Sequence, residues 1–303
     1  MKSKWLSIMV IFFVLLLAAC GGNDDKGKDN NTDKKDPDNA AKTEQTDKKI
    51  VAGAPLQDGV YTLTENDFDE NGWKVNFRIT VDKGKITKSE YDYVNADGKL
   101  KSEDENYDKA MREKTGTGPK DYIPDLNKQL EEKQDAKQVD VVTGATHSSE
   151  NFINYAQQLM QAAQKGNTTP IEIANTSPLK DGVYKLTEKN LDANGWKTYL
   201  NITVEGGKIT QVDYNNLNAE GKLKTDDEGY QKAMSEKVNI GPKEYIPRLS
   251  EALVEKQDPL AISVISGATH STHTFKLYAQ QLINAAQKGD QTPIEVDNIV
   301  FEK

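Results

Sequence analysis

Asp140 to Gly166 reads DVVTGATHSSENFINYAQQLMQAAQKG, and Ser263 to Gly289 reads SVISGATHSTHTFKLYAQQLINAAQKG, at a constant offset of 123 residues. The offset holds without a gap far upstream. Asp58-Gly59-Val60-Tyr61 matches Asp181-Gly182-Val183-Tyr184, Trp73 matches Trp196, and Tyr122-Ile123-Pro124 matches Tyr245-Ile246-Pro247. A chain built this way is a tandem of two like domains, and a site in one implies a site in the other. The bounds read from the repeat are 55–173 and 178–303, each long enough for one small core.

Residues 1–19 have a basic start (Lys2, Lys4), an apolar run from Trp5 to Leu17 and small residues before a cysteine, the layout of a secretory signal. The run is shorter than the roughly 20 apolar residues a spanning helix needs. Leu17-Ala18-Ala19-Cys20 resembles the bacterial lipobox, in which the cysteine is acylated and becomes the new N-terminus. An ordinary cleaved signal is the competing reading. Cys20 is the only cysteine of the chain, which excludes an internal disulfide and a thiolate metal cluster.

Residues 20–54 then carry seven lysines, eight acidic residues and no aromatic residue. Such a segment buries too little apolar surface to offset the entropy of ordering, so it reads as a solvated tether. A flexible coil of that length has ends roughly 30 Å apart. Of the net charge of −9, residues 1–19 contribute +2 and the tether −1, which leaves −10 on the repeats and argues against nucleic acid as a partner.

Within the first repeat, Val75, Phe77, Ile79 and Val81 alternate with polar residues, as in a half-buried strand. Asp82-Lys83-Gly84-Lys85 reads as a hairpin turn, Ile86 to Val94 as the return strand, and Tyr61 to Thr64 as a strand in front. Residues 106–114 and 121–134 have helical character, 139–142 reads as a short strand, and 151–164 as a helix with one apolar stripe (Phe152, Tyr155, Ala156, Leu159, Met160, Ala163). The fold class is therefore α+β: two tandem like domains, each a small antiparallel sheet packed with helices.

The chemistry concentrates between that short strand and that helix, at Thr143-Gly144-Ala145-Thr146-His147-Ser148 and Ser266-Gly267-Ala268-Thr269-His270-Ser271. Glycine frees the backbone, alanine leaves room for a large group beside the threonine hydroxyl, and unpaired N–H groups at a helix mouth favour a phosphate. The same residues also suit a sharp turn with a threonine helix cap. Read alone, the turn does not decide between the two.

Asp140-Val141-Val142-Thr143-Gly144-Ala145-Thr146 resembles the flavinylation motif of the FMN-binding domains of sodium-pumping NADH:quinone reductases and related complexes. That motif is Asp, two variable residues, Ser or Thr, Gly, Ala, then Ser or Thr. The resemblance implies FMN joined to the Thr146 hydroxyl by a phosphodiester, installed by an extracytoplasmic flavin transferase that uses FAD and magnesium. It implies the same at Thr269, although Ser263 stands where the family has Asp. An anchor, a tether and two such domains together resemble the Gram-positive lipoproteins of flavin-based extracellular electron transfer. For those, electrons pass from a membrane quinol and NADH dehydrogenase system to ferric iron or another external acceptor.

All three histidines, His147, His270 and His273, lie beside these threonines, either as exposed residues of a helix start or, for His147 and His270, in contact with the flavin. One or two histidines per domain make a poor metal-ligand set. Trp73, Trp196, Tyr107, Tyr122, Tyr230 and Tyr245 are either core residues or a stacking wall for the ring. The resemblance implies an electron carrier on the outer face of the cell membrane; no nucleophile with a partner base is evident, so the chain is not expected to be an enzyme in its own right. The competing class is a lipoprotein that binds a solute or partner surface without a cofactor. A peptide from Phe12 to Ala19 serving as a pheromone is compatible with both.

Overall fold

The computed structural model describes residues 49–302. The signal segment, Cys20 and almost all of the tether lie outside the described residues. The first half runs β1 (Ile50–Ala52), β2 (Gly59–Glu65), β3 (Lys74–Asp82), β4 (Lys85–Val94), α1 (Glu105–Thr115), α2 (Pro119–Lys133), α3 (Thr146–Gln164) and β5 (Ile171–Ile173). Along β3, Val75, Phe77, Ile79 and Val81 are buried while Asn76, Arg78 and Asp82 are exposed, as a period of two requires. Lys83 and Gly84 both take positive φ, 52° and 72°, so a two-residue turn of matching twist joins β3 to β4. Asp58 accepts the Gly84 N–H at 2.9 Å and ties that turn to the start of β2.

The strand order is β4-β3-β2-β5, antiparallel except for β5, which lies parallel to β2 with Ile171 opposite Leu63. The chain therefore crosses from β4 to β5 through all three helices. The apolar stripe of α3 packs on the sheet, with the Phe152 ring 4.9 Å from Phe77 and 5.0 Å from Tyr91. Each fully buried side chain of this size contributes roughly 1.5–3 kcal/mol. The second half repeats the pattern: β6 (Gly182–Glu188), β7 (Lys197–Glu205), β8 (Lys208–Leu217), α4 (Glu228–Val238), α5 (Pro242–Lys256), α6 (Thr269–Lys288), β9 (Ile294–Val296) and then β10 (Val300–Phe301). Its sheet order is β8-β7-β6-β9. The fold is α+β, with two like halves.

Three sequence expectations change. Residues 139–142 form no strand, because their amides are satisfied elsewhere: Asp140 N–H donates to Gln129 Oε1 at 2.8 Å and Val142 N–H to Ser149 Oγ at 3.0 Å. Helix α3 starts at Thr146 and not at Asn151, so the threonine is inside the helix. Ile50–Ala52, assigned to the tether, instead pairs antiparallel with β10, Ile50 opposite Phe301. Its donors and acceptors find a partner strand that lies at the far end of the sequence.

The halves meet along α3 and α6. Ile153 touches both cores, Glu150 and Lys276 form a buried ion pair at 2.5 Å, and Gln281 bonds Gln161 at 2.8 Å. Among the described residues no helix is long and apolar enough to cross a membrane.

Candidate functional site

Thr146 and Thr269 are the first residues of α3 and α6, and in both cases the residue before them, Ala145 or Ala268, occupies the capping position. Alanine has no side chain that can cap, and no side-chain cap bond is made at either helix. The threonine hydroxyls are thus not consumed as caps, and they are exposed. The first-turn N–H groups therefore lack a side-chain capping acceptor, the arrangement that attracts an anion.

Two features fix the turn. Gly144 takes φ 81° and Gly267 takes φ 80°. A Cβ on Gly144 would come within 2.5 Å of the Thr115 carbonyl, and one on Gly267 within 2.8 Å of Ile240 Cγ2 and 2.9 Å of the Val238 carbonyl. The turn is pressed against the end of the first helix of its own half. Ala145 and Ala268 are buried, and the Ala145 carbonyl accepts both the N–H and the hydroxyl of Ser149 at 2.9 Å.

A cleft of about 660 Å³ opens beside α3 and one of about 620 Å³ beside α6. The first is lined by His147, Ser148, Tyr93, Lys101, Glu65 and, from the other half, Leu260. The second is lined by Gly267, Ala268, Thr269, His270, Ser271 and Lys224, with Lys137 from the first half. Each cleft is therefore closed in part by the short 3-10 turn of the opposite half (Ala136–Gln138 or Pro259–Ala261). Thr143, Thr146 and Ser266 are exposed and are not among the lining residues, whereas Thr269 lines its cleft.

Asp140 is not brought to the Thr146 hydroxyl. Its carboxylate is 83% exposed and pairs with Lys133 at 2.5 Å, and with Val139 and Val141 it lines a third crevice of about 470 Å³, shared with Thr269, His270 and His273. At the equivalent place in the second half, Lys256 pairs instead with Glu255 at 2.7 Å. Trp73 and Trp196 are 5% exposed and stand edge-on to Tyr107 and Tyr230, so they belong to the cleft walls' packing and not to an open stacking face.

A family model described as FMN-binding domain matches residues 72–161, which contain the Asp140 to Thr146 turn. The chain is 40% identical over 118 residues to a 15 kDa lipoprotein of Treponema pallidum, covering 39% of this chain and 84% of that lipoprotein. The chain belongs to the FMN-binding domain family. Two solved structures are also similar. One, a crystal structure from Clostridium perfringens, is 39% identical, with a TM-score of 0.38, over 41% of this chain and 99% of that one. The other, a solution structure from Clostridium thermocellum, is 28% identical, with a TM-score of 0.24, over 40% and 98%.

The residues present suit an FMN-binding domain. The clefts have the volume usual for a small-molecule site, the uncapped helix starts suit a phosphate, and the buried Asn216 amide oxygen in the second cleft has no partner among the described residues. The two sites nevertheless differ. Glu188, at the end of β6, accepts from Tyr278 OH at 2.5 Å and Thr198 N–H at 2.8 Å, and pairs with Lys137 at 2.6 Å. Burial alone would raise its pKa, but Lys137 and the hydrogen bonds outweigh it and hold the carboxyl below its usual range.

Glu65 repeats two of these contacts, with Tyr155 OH at 2.6 Å and Val75 N–H at 2.7 Å. Leu260 stands where Lys137 would be required, and burial pushes Glu65 up. His270, ringed by protein though open on one side, is lowered by desolvation and then by Lys137. Sequence reasoning missed Glu65, Glu188 and Lys137. The Lys137 to Leu260 difference was visible in the repeat, but its partner lies in the other half.

Proposed function

We propose that this FMN-binding lipoprotein is an anchored electron carrier, with one FMN joined through a phosphodiester to Thr146 and a second to Thr269. The observation that carries the reading is the threonine at the first position of an uncapped helix in both halves: an exposed hydroxyl, not needed for capping, placed where a phosphate is favoured. FMN supplies the electron chemistry, and the protein supplies attachment, orientation and tuning. His147 and Ser148 in one cleft, and His270 and Ser271 in the other, line the space beside the attachment point. Gly144, Ala145, Gly267 and Ala268 keep that point clear of side chains.

On this reading a flavin transferase using FAD installs both groups outside the cytoplasm, and lipid on Cys20 holds the protein at the outer face of the membrane. A membrane quinol and NADH dehydrogenase system donates electrons, ferric iron or another external acceptor takes them, and the chain is not an enzyme in its own right. The test is ferric reduction by cells carrying wild type, Thr146→Val, Thr269→Val or the double variant. Intermediate rates for the single variants and background for the double are expected. Wild-type rates from the folded, anchored double variant would refute the proposal.

A further inference from the structure

Lys101 and Lys224 hold equivalent places in the two halves, each at the start of the 3-10 turn that follows the sheet. They are 5% and 6% exposed, and each lines the cleft of its own half. Lys101 Nζ lies 4.3 Å from the ring centres of Tyr93 and Tyr107 and 5.8 Å from that of Trp73. Lys224 Nζ lies 4.3 Å from Tyr230 and 5.4 Å from Trp196. Among the described residues, neither ammonium group has a carboxylate within ion-pair distance or a hydrogen-bond acceptor. Asp69, Asp92 and Glu65 pull on Lys101 from a distance, and Asp192 on Lys224.

Partly desolvating an unpaired ammonium at a cleft wall is costly, and aromatic faces offset only about 2 kcal/mol of that cost. A position needed only for packing would be met more cheaply by methionine or leucine. Both halves instead keep a cation whose N–H groups are unspent at the edge of a cleft. We propose that Lys101 and Lys224 are the cations that face the bound flavin and stabilise the negative charge that its ring gains on reduction. Uptake of two electrons and one proton by an oxidised ring leaves one net negative charge, and the electrons come from the quinol donor class named above. The inference rests on FMN occupying both clefts. Burial brings Lys101 down to about 8 and lowers Lys224 too, the behaviour of cations that lack a partner.

The test uses full-length Thr269→Val protein, which leaves a single flavin at Thr146, with Lys101 kept, changed to Met or changed to Arg. Flavin attachment is read from the mass of the 143–148 peptide and the midpoint potential by spectroelectrochemistry. Lys101→Met is expected to keep its flavin and lose at least tenfold in preference for the reduced form, a midpoint about 30 mV lower for a two-electron couple. Lys101→Arg should retain most of the preference, and the flavin-free Met variant should melt no lower than its parent. An unchanged midpoint with flavin in place would overturn this inference alone, as would a steep fall in the melt of the Met variant. Loss of flavin with an unchanged midpoint in the residual holoprotein would assign the lysine to phosphate binding and also overturn it. A parent without flavin would sink the FMN reading and this inference together.

Discussion

Replacing Lys137 by leucine makes the second site resemble the first, and the structure sets the size of the effect. Glu188 is 6% exposed in the wild type, and the variant would leave it bonded to Tyr278 and Thr198 but without the Lys137 cation. Stripping one partner from a buried ion pair costs about 3–5 kcal/mol. Glu188 has a way to limit that cost, which is to take up a proton. Holding a carboxyl of ordinary pKa near 4.3 protonated at pH 7 costs about 3.7 kcal/mol, which caps the loss. We therefore expect Lys137→Leu to lose about 3 kcal/mol at pH 7, a melting temperature lower by roughly 6–12 °C.

The sign with pH follows from the direction of each shift. Glu188 is depressed in the folded wild type, so its contribution is present above the unfolded pKa and is lost as pH falls through the folded one. In the variant Glu188 should behave as Glu65 does, raised by burial, with stability present at low pH and lost as pH rises. The difference between wild type and variant should then shrink from pH 7 toward pH 4. Adding Glu188→Gln to Lys137→Leu should recover most of the loss at pH 7. Thermal melts at pH 4 and pH 7 read this directly. An equal loss at both pH values, or no recovery in the double variant, would show that Lys137 matters for packing and not for charge.

Other outcomes follow from the same geometry. His270 is lowered by burial and by Lys137, so Lys137→Leu should raise its titration midpoint by NMR, and an unmoved midpoint would remove Lys137 from that site's electrostatics. Thr146→Val and Thr269→Val should each remove one flavin yet change stability by no more than about 0.5 kcal/mol, because alanines and not these threonines occupy the caps. Gly144→Ala should destabilise more than Gly72→Ala, since both take φ 81° but only Gly144 faces a backbone oxygen at 2.5 Å; equal losses beyond the about 1–2 kcal/mol of left-handed strain would deny that contact. Cys20→Ala should release the protein into the medium or leave it unprocessed, and correct processing with unchanged membrane retention would exclude the lipid anchor.

Local pattern carried much of the fold. The alternation from Val75 to Val81, the Lys83-Gly84 turn and the stripe from Phe152 to Ala163 each depend on neighbours in sequence, so period alone reveals them. The run Val139 to Val142 misled because four residues, three of them valine, are too few to show a period, and its amides bond Gln129 and Ser149 side chains. Ile171–Ile173 is too short to announce a strand, and Ile50–Ala52 becomes one only through Val300–Phe301 at the opposite end.

The sequence placed Thr146 and Thr269 at the mouth of a helix because a helix start is local, and both are the first helical residues. Lys137 could not be read, since Glu188 belongs to the other half. Lys101, within Gly98-Lys99-Leu100-Lys101-Ser102-Glu103, looks like part of a solvated charged run. Its burial depends on Trp73, Tyr93 and Tyr107 folding around it.

The most direct measurement is the mass of denatured protein recovered from an envelope with an active flavin transferase, followed by mapping of the peptides spanning 143–148 and 266–271. The account expects two added groups, each FMN less water, one on Thr146 and one on Thr269, and one fewer in each single valine variant. Unmodified peptides from such a host, or flavin that separates on denaturation, would contradict it.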